Sequence, residues 1–302
     1  MKQLTFGAIV LAYKQEDYIS YCLRALAEHV DLIVVLFSTV PWIAYNPRAR
    51  EEFTDSDDTR QLLDVLGQEL PNVSVIEGVW DNEEDMRNEG LKVLRDRGIQ
   101  VCLVVDADEF YPEGGLEALK KEIRYHDTPG TTYLSAHRTC YKRFDYIVDS
   151  SHQVHVAVHI DSSTTFYRRR GASGTEKRLP EEIFFWHMGY VLSNERMWEK
   201  IHTFGHANEL VPGWFDEKWL NWTPYTRDLF RKNPSSRWPR TIKIQPAMLP
   251  RILHGHPYFP DRTGENEALV VSGQTNIRMP QSEGFARSMS LVRDLSFSTG
   301  ND

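Results

Sequence analysis

The stretch Ile99-Gln100-Val101-Cys102-Leu103-Val104-Val105-Asp106-Ala107-Asp108-Glu109-Phe110 runs through apolar and β-branched residues and ends in three carboxylates. A short apolar run that follows a glycine stop and closes on charge reads as a buried strand reaching the surface. In an extended chain, residues two apart project to the same side. Asp106 and Asp108 are therefore expected to face one way, with Ala107 and Glu109 facing the other. Two like charges at the edge of an apolar core need a proton or a cation to neutralise them. A divalent metal is the expected partner, and Glu109, on the opposite side, is expected to orient a neighbouring loop. The plainer alternative is that the acids mark only the end of a strand and the start of a solvated loop.

The flanking sequence supplies the support for such a strand. Leu4 to Ala12 reads as a first buried strand, and Ile19, Cys22, Leu23 and Leu26 recur at helical spacing behind Asp17, which is placed to N-cap that helix. Leu32 to Phe37 is a continuous β-rich run, Leu62, Leu63, Leu66 and Leu70 suggest a helix, and Val73 to Ile76 a third strand. Asn82 to Arg97 forms a helical pattern with Met86, Leu91 and Leu94 inward and Gly98 as its stop. After Pro112 another helix carries Leu116, Leu119 and Ile123. This alternation predicts an α/β fold, a doubly wound and mostly parallel central sheet flanked by helices. Ligands bind such sheets outside the carboxyl ends of the strands, where Asp106 and Asp108 fall.

From Thr131 to Arg170 the pattern turns β-rich, with segments at Thr131 to Ala136, Val154 to Ile160 and Thr164 to Arg169. Arg168-Arg169-Arg170 reads as a solvated strand end. Phe184-Phe185-Trp186-His187 is a short apolar run closing on histidine, and Ser193 can cap a helix reaching about Glu209. A Trp/Pro-rich extension follows, with Trp214, Trp219, Trp222 and Trp238 among Arg227, Arg231, Lys232, Arg237 and Arg240. The organisation expected is a main domain over 1–210, in halves 1–125 and 126–210, and a C-terminal extension over 211–302 whose last stretch is Gly-, Ser- and Asn-tinged.

The 302 residues suffice for a large core, and 41% hydrophobic with 26% charged residues is ordinary for a globular protein. A net charge of -8 argues against a general nucleic-acid-coating surface. Cys22, Cys102 and Cys140 lie far apart without zinc spacing, which suits reduced core thiols and a cytoplasmic location. The start lacks a signal-peptide cleavage pattern, and no apolar run approaches the roughly 18 residues of a membrane span.

Three features occur in order: Ala8-Ile9-Val10-Leu11-Ala12-Tyr13-Lys14-Gln15-Glu16-Asp17-Tyr18-Ile19, then Arg87-Asn88-Glu89-Gly90-Leu91, then Val104-Val105-Asp106-Ala107-Asp108-Glu109. Together they resemble nucleotide-sugar glycosyltransferases of GT-A (Rossmann-like) fold, in particular the large inverting family that includes bacterial lipopolysaccharide-core and polysaccharide glycosyltransferases. The likeness covers the first half of the main domain, with a weaker echo near His187. It implies a metal-dependent, hexosyltransferase-like enzyme that moves a sugar from a nucleotide-diphosphate donor to an acceptor hydroxyl. The acceptor would be a glycan, a lipid-linked sugar or a hydroxylated DNA base. By the resemblance, Mn2+ or Mg2+ is bound by Asp108, Asp106 and His187; Asp106 also meets the donor ribose or sugar, Leu11, Ala12 and Tyr13 border the nucleobase, and Arg87 approaches the donor sugar or diphosphate. The chemistry agrees, because a departing diphosphate develops negative charge that a cation stabilises. One departure is Phe37-Ser38-Thr39-Val40, where the family carries an aspartate on the base or ribose. That leaves the nucleotide open.

Each of these residues has a plain alternative: a surface helix arginine for Arg87, a satisfied structural hydrogen bond for His187. His202 and His206, and His254 and His256, lack a metalloprotease spacing and read as structural or acceptor-side. An inverting transfer needs a general base; Asp145, Asp149, Asp161, Glu181 and Glu182 are candidates. Asp145 is favoured because it follows Tyr141-Lys142-Arg143-Phe144, where an acceptor could rest. The tryptophans suit either a sugar-stacking cleft or packing of the extension. The basic residues between them admit a nucleic-acid acceptor, against the acidic whole. Two other readings share the acidic strand end: nucleotidyl or phosphoryl transfer, and a non-catalytic sugar- or nucleotide-binding module.

Overall fold

The computed structural model describes residues 4–150, 152–231 and 236–260, without the side chains of Asn208, Phe230, Arg231, Ser236 and Arg237. Lys232, the side chains of Arg231 and Arg237, and the Gly-, Ser- and Asn-tinged end therefore lie outside the described residues. The first half alternates strand and helix: β1 (Phe6–Ala12), α1 (Ile19–Ala27), β2 (Leu32–Phe37), the short α2 (Ala49–Glu52), α3 (Thr59–Glu69), β3 (Val73–Glu77), α4 (Glu83–Asp96) and β4 (Val101–Asp106). Strands β4, β1, β2 and β3 lie side by side in that order, all parallel.

Every residue of β1 is buried, because both faces of the sheet are covered. Ala8, Val10 and Ala12 enter one core with Cys22 and Leu23 of α1, while Ile9 and Leu11 enter another with Met86, Leu91 and Leu94 of α4. The period of two in the strand thus feeds two helix layers. The start of α4 is fixed by Asn82, whose side chain accepts from the Asp85 amide at 2.8 Å, and by acids in its first turn that suit the helix dipole. A β-carbon on Gly90 would fall 2.8 Å from Leu36 Cδ2, so glycine lets α4 lie this close to the sheet. Gly98, at φ +72°, ends the helix and turns the chain into β4. At α1 the expectation is corrected: Tyr18 is the N-cap residue. Asp17 instead accepts hydrogen bonds from Arg196 Nε at 3.4 Å and Tyr258 Oη at 3.2 Å.

The second half comprises β5 (Glu109–Phe110), α5 (Gly115–Tyr125), β6 (Thr131–Tyr141), β7 (Arg143–Val148), β8 (His152–His159), the hairpin β9 (Phe166–Arg168) and β10 (Gly171–Ala172), β11 (Thr175–Arg178), β12 (Phe184–Tyr190) and α6 (Asn194–Thr203). A ribbon of β13 (Phe230–Arg231) and β14 (Ser236–Trp238) and the strand β15 (Thr241–Lys243) follow. β8 joins β4 antiparallel, and β6, β7 and β15 continue an eleven-stranded sheet. The sheet is therefore parallel through β1 to β4 and mixed beyond. Strand β7 arises because Lys142 takes φ +66° and reverses the chain inside the aromatic run read as an acceptor rest.

β12 runs parallel to β6 and also pairs antiparallel with β5, setting His187 opposite Glu109. Ser193 caps α6 by accepting from the Arg196 amide at 3.2 Å. The helix stops at Thr203, short of Glu209, because Phe204 is extended. Trp214, Trp219 and Trp238 pack with Tyr141, Tyr190, Met197 and Ile201 in a third core. All three cysteines are buried and free. Among the described residues no helix is long and apolar enough to cross a membrane.

Candidate active site

A cavity of about 490 Å3 opens at the carboxyl ends of β1 and β4. That volume lies within the roughly 300–1,000 Å3 of small-molecule sites. Leu11 and Tyr13 line it from the end of β1, Asp106 to Glu109 from the end of β4, His187 and Tyr190 from β12, and Arg196, Glu199, Lys200 and Thr203 from α6. The last four are spaced i, i+3, i+4 and i+7, one polar face of a helix.

Strand β4 ends at Asp106, so Ala107 and Asp108 lie in a turn and not in an extended strand. The turn overrides the strict alternation expected from the sequence. Asp106, Asp108 and Glu109 all line the cavity, and Glu109 is not on its far side.

Asp106 is held from behind. Arg87, with its side chain 0% exposed, donates Nη2 to Asp106 Oδ1 at 2.7 Å, and Arg170 donates Nη1 to Oδ2 at 3.2 Å. Burial works to raise the Asp106 carboxyl, but Arg87 and then Arg170 outweigh it and hold it well below the usual carboxylate range. Arg170 also bonds the Glu109 carboxylate, donates Nη2 to Val104 O at 2.7 Å and Nε to His155 O at 3.1 Å. Glu109 accepts the Asp106 amide at 3.0 Å, closing the turn, and burial raises its carboxyl despite Arg170. Arg170 is thus a buried organiser and not part of a solvated strand end. It reaches the site because Arg169 and Arg170 form the turn between β9 and β10, with Arg169 at φ +46°. This left-handed arginine is secured by Glu84, which accepts its amide at 2.6 Å, and by Glu209.

Asp108 has the opposite arrangement. Its side chain is 7% exposed, and Lys200 Nζ, on a side chain 21% exposed, lies 2.8 Å from its Oδ2. His187 Nε2 is 3.6 Å from Oδ1, and its Nδ1 lies 3.3 Å from Thr139 Oγ1. The Met188 amide donates to Asp108 O at 2.7 Å, tying β12 to the turn. A β-carbon on Gly189 would fall 2.5 Å from His187 Nε2 and 2.7 Å from both Asp108 Oδ2 and Lys200 Nζ, so only glycine leaves these three atoms room to converge. Burial would raise the Asp108 carboxyl, but Lys200 and His187 lower it, while burial lowers His187 in spite of Asp108.

Whether these residues fit a divalent ion follows from their existing partners. Both Asp106 oxygens already accept from guanidinium groups, leaving Asp108 and His187 as a pair, with the Lys200 ammonium on Asp108. Among the described residues no three His, Cys, Asp or Glu side chains gather as a metal-holding group. The arrangement does not fit a resident ion held by Asp106, Asp108 and His187 together, because guanidinium and ammonium groups already neutralise both carboxylates and would repel a divalent cation.

The other expected residues divide. Ala12 is fully buried within the sheet, and Arg87 stands behind Asp106, so neither lines the cavity. None of Asp145, Asp149, Asp161, Glu181 and Glu182 lines it either. Asp145 is bound by Arg143 Nε at 2.8 Å and Nη2 at 3.1 Å. His256 Nε2 lies 2.9 Å from Asp17 O and its ring stacks on Tyr18, a structural role. His202 Nδ1 lies 2.6 Å from Trp198 O, whereas His206 lines the cavity beside Arg169 and Glu209. Trp238 touches the cavity, while Trp214 and Trp219 serve packing. The sequence reading missed Arg170, Lys200, Arg196 and Glu83. Glu83, at the start of α4, lines the cavity, with its carboxyl raised by burial against Arg87. For Lys200 a signal existed in the helical spacing of Arg196, Glu199, Lys200 and Thr203; for Arg170 none distinguished it from its two neighbours.

No protein family matches the chain by sequence, and no curated protein does. Among solved structures it is similar to S. aureus TarS, at 21% identity over 46% of this chain and 22% of that one, with a TM-score of 0.30. It is similar to TarS 1–349 in complex with UDP at 15% identity over 72% and 71% of the two chains, with a TM-score of 0.40. The 4-diphosphocytidyl-2C-methyl-D-erythritolsynthase from Anaerococcus prevotii DSM 20548 matches at 16% identity over 52% of this chain and 70% of that one, with a TM-score of 0.32. The matched part spans 22% of the length of TarS and 36% of TarS 1–349 in the first two such matches.

Proposed function

We propose that this chain is a glycosyltransferase that moves a sugar from a nucleotide-diphosphate donor to an acceptor hydroxyl. The observation that carries this reading is the pairing of a clamped carboxylate, Asp106, with the Lys200 ammonium in one cavity at the carboxyl ends of parallel strands. A carboxylate held ionised by two arginines accepts hydrogen bonds from ribose or sugar hydroxyls. An ammonium beside it meets the diphosphate. When the bond from the anomeric carbon to the diphosphate oxygen breaks, its electron pair leaves on that oxygen, and a fixed positive charge stabilises it. Tyr13 and Leu11, at the end of β1, would border the base. TarS, similar only in the coarse terms above, was solved with UDP-GlcNAc and with UDP, so uridine donors come first in a screen.

The test is incubation with a panel of nucleotide sugars, measuring the nucleotide product. Free nucleoside diphosphate, reduced about 100-fold or more in Asp106→Asn, is the expected outcome. Pyrophosphate as product, or no turnover of any donor, would sink the reading.

A further inference from the structure

The two aspartates present opposite charge to the cavity. Asp106 is itself 36% exposed, with Arg87 at 0% behind it and Arg170, at 14%, beside it in the cavity wall. At Asp108 the carboxylate is the inner member, 7% exposed, and Lys200 the outer, 21% exposed. Lys200 therefore points a cation at the ligand with its counter-charge in the wall. Its position is fixed by Asp108 and by α6, whose neighbouring Arg196 is tied to Asp17 Oδ2 at 3.4 Å and Asp57 Oδ2 at 3.2 Å, and Gly189 leaves it room.

We propose that Lys200 supplies, from within the chain, the positive charge opposite the donor diphosphate, so that nucleotide binding does not require a divalent metal. This rests on the glycosyl-transfer reading. An ammonium is a compact, strongly hydrated point charge with three donors, enough to bridge Asp108 and two phosphate oxygens at once. A diphosphate entering the cavity would share Lys200 with Asp108, and the carboxylate would keep the ammonium aimed.

The test is calorimetric titration of UDP, GDP, CDP and ADP into the full chain, in EDTA and again with MnCl2. The expected result is one nucleotide whose affinity differs by less than about threefold between the two conditions. Lys200→Ala should weaken it in EDTA by about 10- to 100-fold, the worth of a charge-assisted contact. Mn2+ should then recover part of the loss in that variant, because Asp108 and His187 are freed as a ligand pair. Lys200→Arg keeps the charge and should remain metal-indifferent, and Lys200→Gln replaces Lys200→Ala if circular dichroism shows the alanine variant unfolded. A wild-type affinity that rises tenfold or more with Mn2+, or a Lys200→Ala affinity unchanged in EDTA, overturns the proposal. Failure of every nucleotide to bind in both conditions overturns the donor reading itself and this proposal with it.

Discussion

Asp106 and Asp108 stand two residues apart where β4 runs into a turn, yet they sit in opposite electrostatic settings. The floor around Asp106 is an anion more exposed than either of its cations, Arg87 sealed behind it and Arg170 in the wall beside it; the rim around Asp108 is a buried anion with its cation in front. A doubled acid is therefore not one device. Arg87 is the least replaceable member of the floor, because a guanidinium with no exposure has no water to turn to if its carboxylate is removed. Lys200, one-fifth exposed, can be rehydrated.

Stability should follow that asymmetry. Asp106→Ala leaves Arg87 buried beside Arg170, and urea denaturation should show a loss of about 3 kcal/mol, the lower end for a broken buried pair because Glu83 remains 3.6 Å from Arg87. Asp108→Ala should cost under about 1.5 kcal/mol in the same assay, since Lys200 returns to water. Equal losses in the two variants would show that the two carboxylates sit in equivalent settings. An effect between those two is expected at Arg170→Met, about 2 kcal/mol, because Glu109, 5% exposed, is left beside Asp106 without its guanidinium. Full stability in that variant would show that Arg170 does not organise the floor.

The smallest effect sharpens the rim. His137 lies with its ring 6.0 Å from that of His187, and burial pushes its imidazole down to about 3 from 6.5. The unfolded chain then binds a proton that the folded chain refuses, so stability is whole above about pH 6.5 and falls as the pH drops toward 3. Between pH 6 and pH 5 the share of His137 should be a loss of about 1 kcal/mol, and His137→Phe should remove that share from the slope. Asp106 adds nothing in that interval, because it stays ionised well below it, whereas Glu109, raised by burial to about 7, binds a proton in the folded chain there and works in the opposite direction. An unchanged slope in His137→Phe would assign the acid sensitivity elsewhere.

Much of the first half of the chain was legible. The spacing of Ile19, Cys22, Leu23 and Leu26, the run Leu32 to Phe37 and the Gly98 stop all appear as read, because local periodicity and backbone preference set them. The start of α1 was not, since Asp17 is drawn away by Arg196, 179 residues along the chain. Asp145 read as a base because aromatic residues precede it. The left-handed Lys142 turns that run into a hairpin and gives Asp145 to Arg143. The three consecutive arginines looked alike in sequence, and only the turn between β9 and β10 buries one of them.

By itself the sequence determined that an apolar strand delivers two aspartates to the carboxyl end of a parallel sheet flanked by helices, because strand identity and the site of its ending follow from local pattern. Only the tertiary structure decided what neutralises them. Arg87 comes from 19 residues before Asp106, Arg170 from 64 after it and Lys200 from 92 after Asp108. The physical reason is that charge compensation is a matter of distance and exposure, and neither is written in the neighbouring residues.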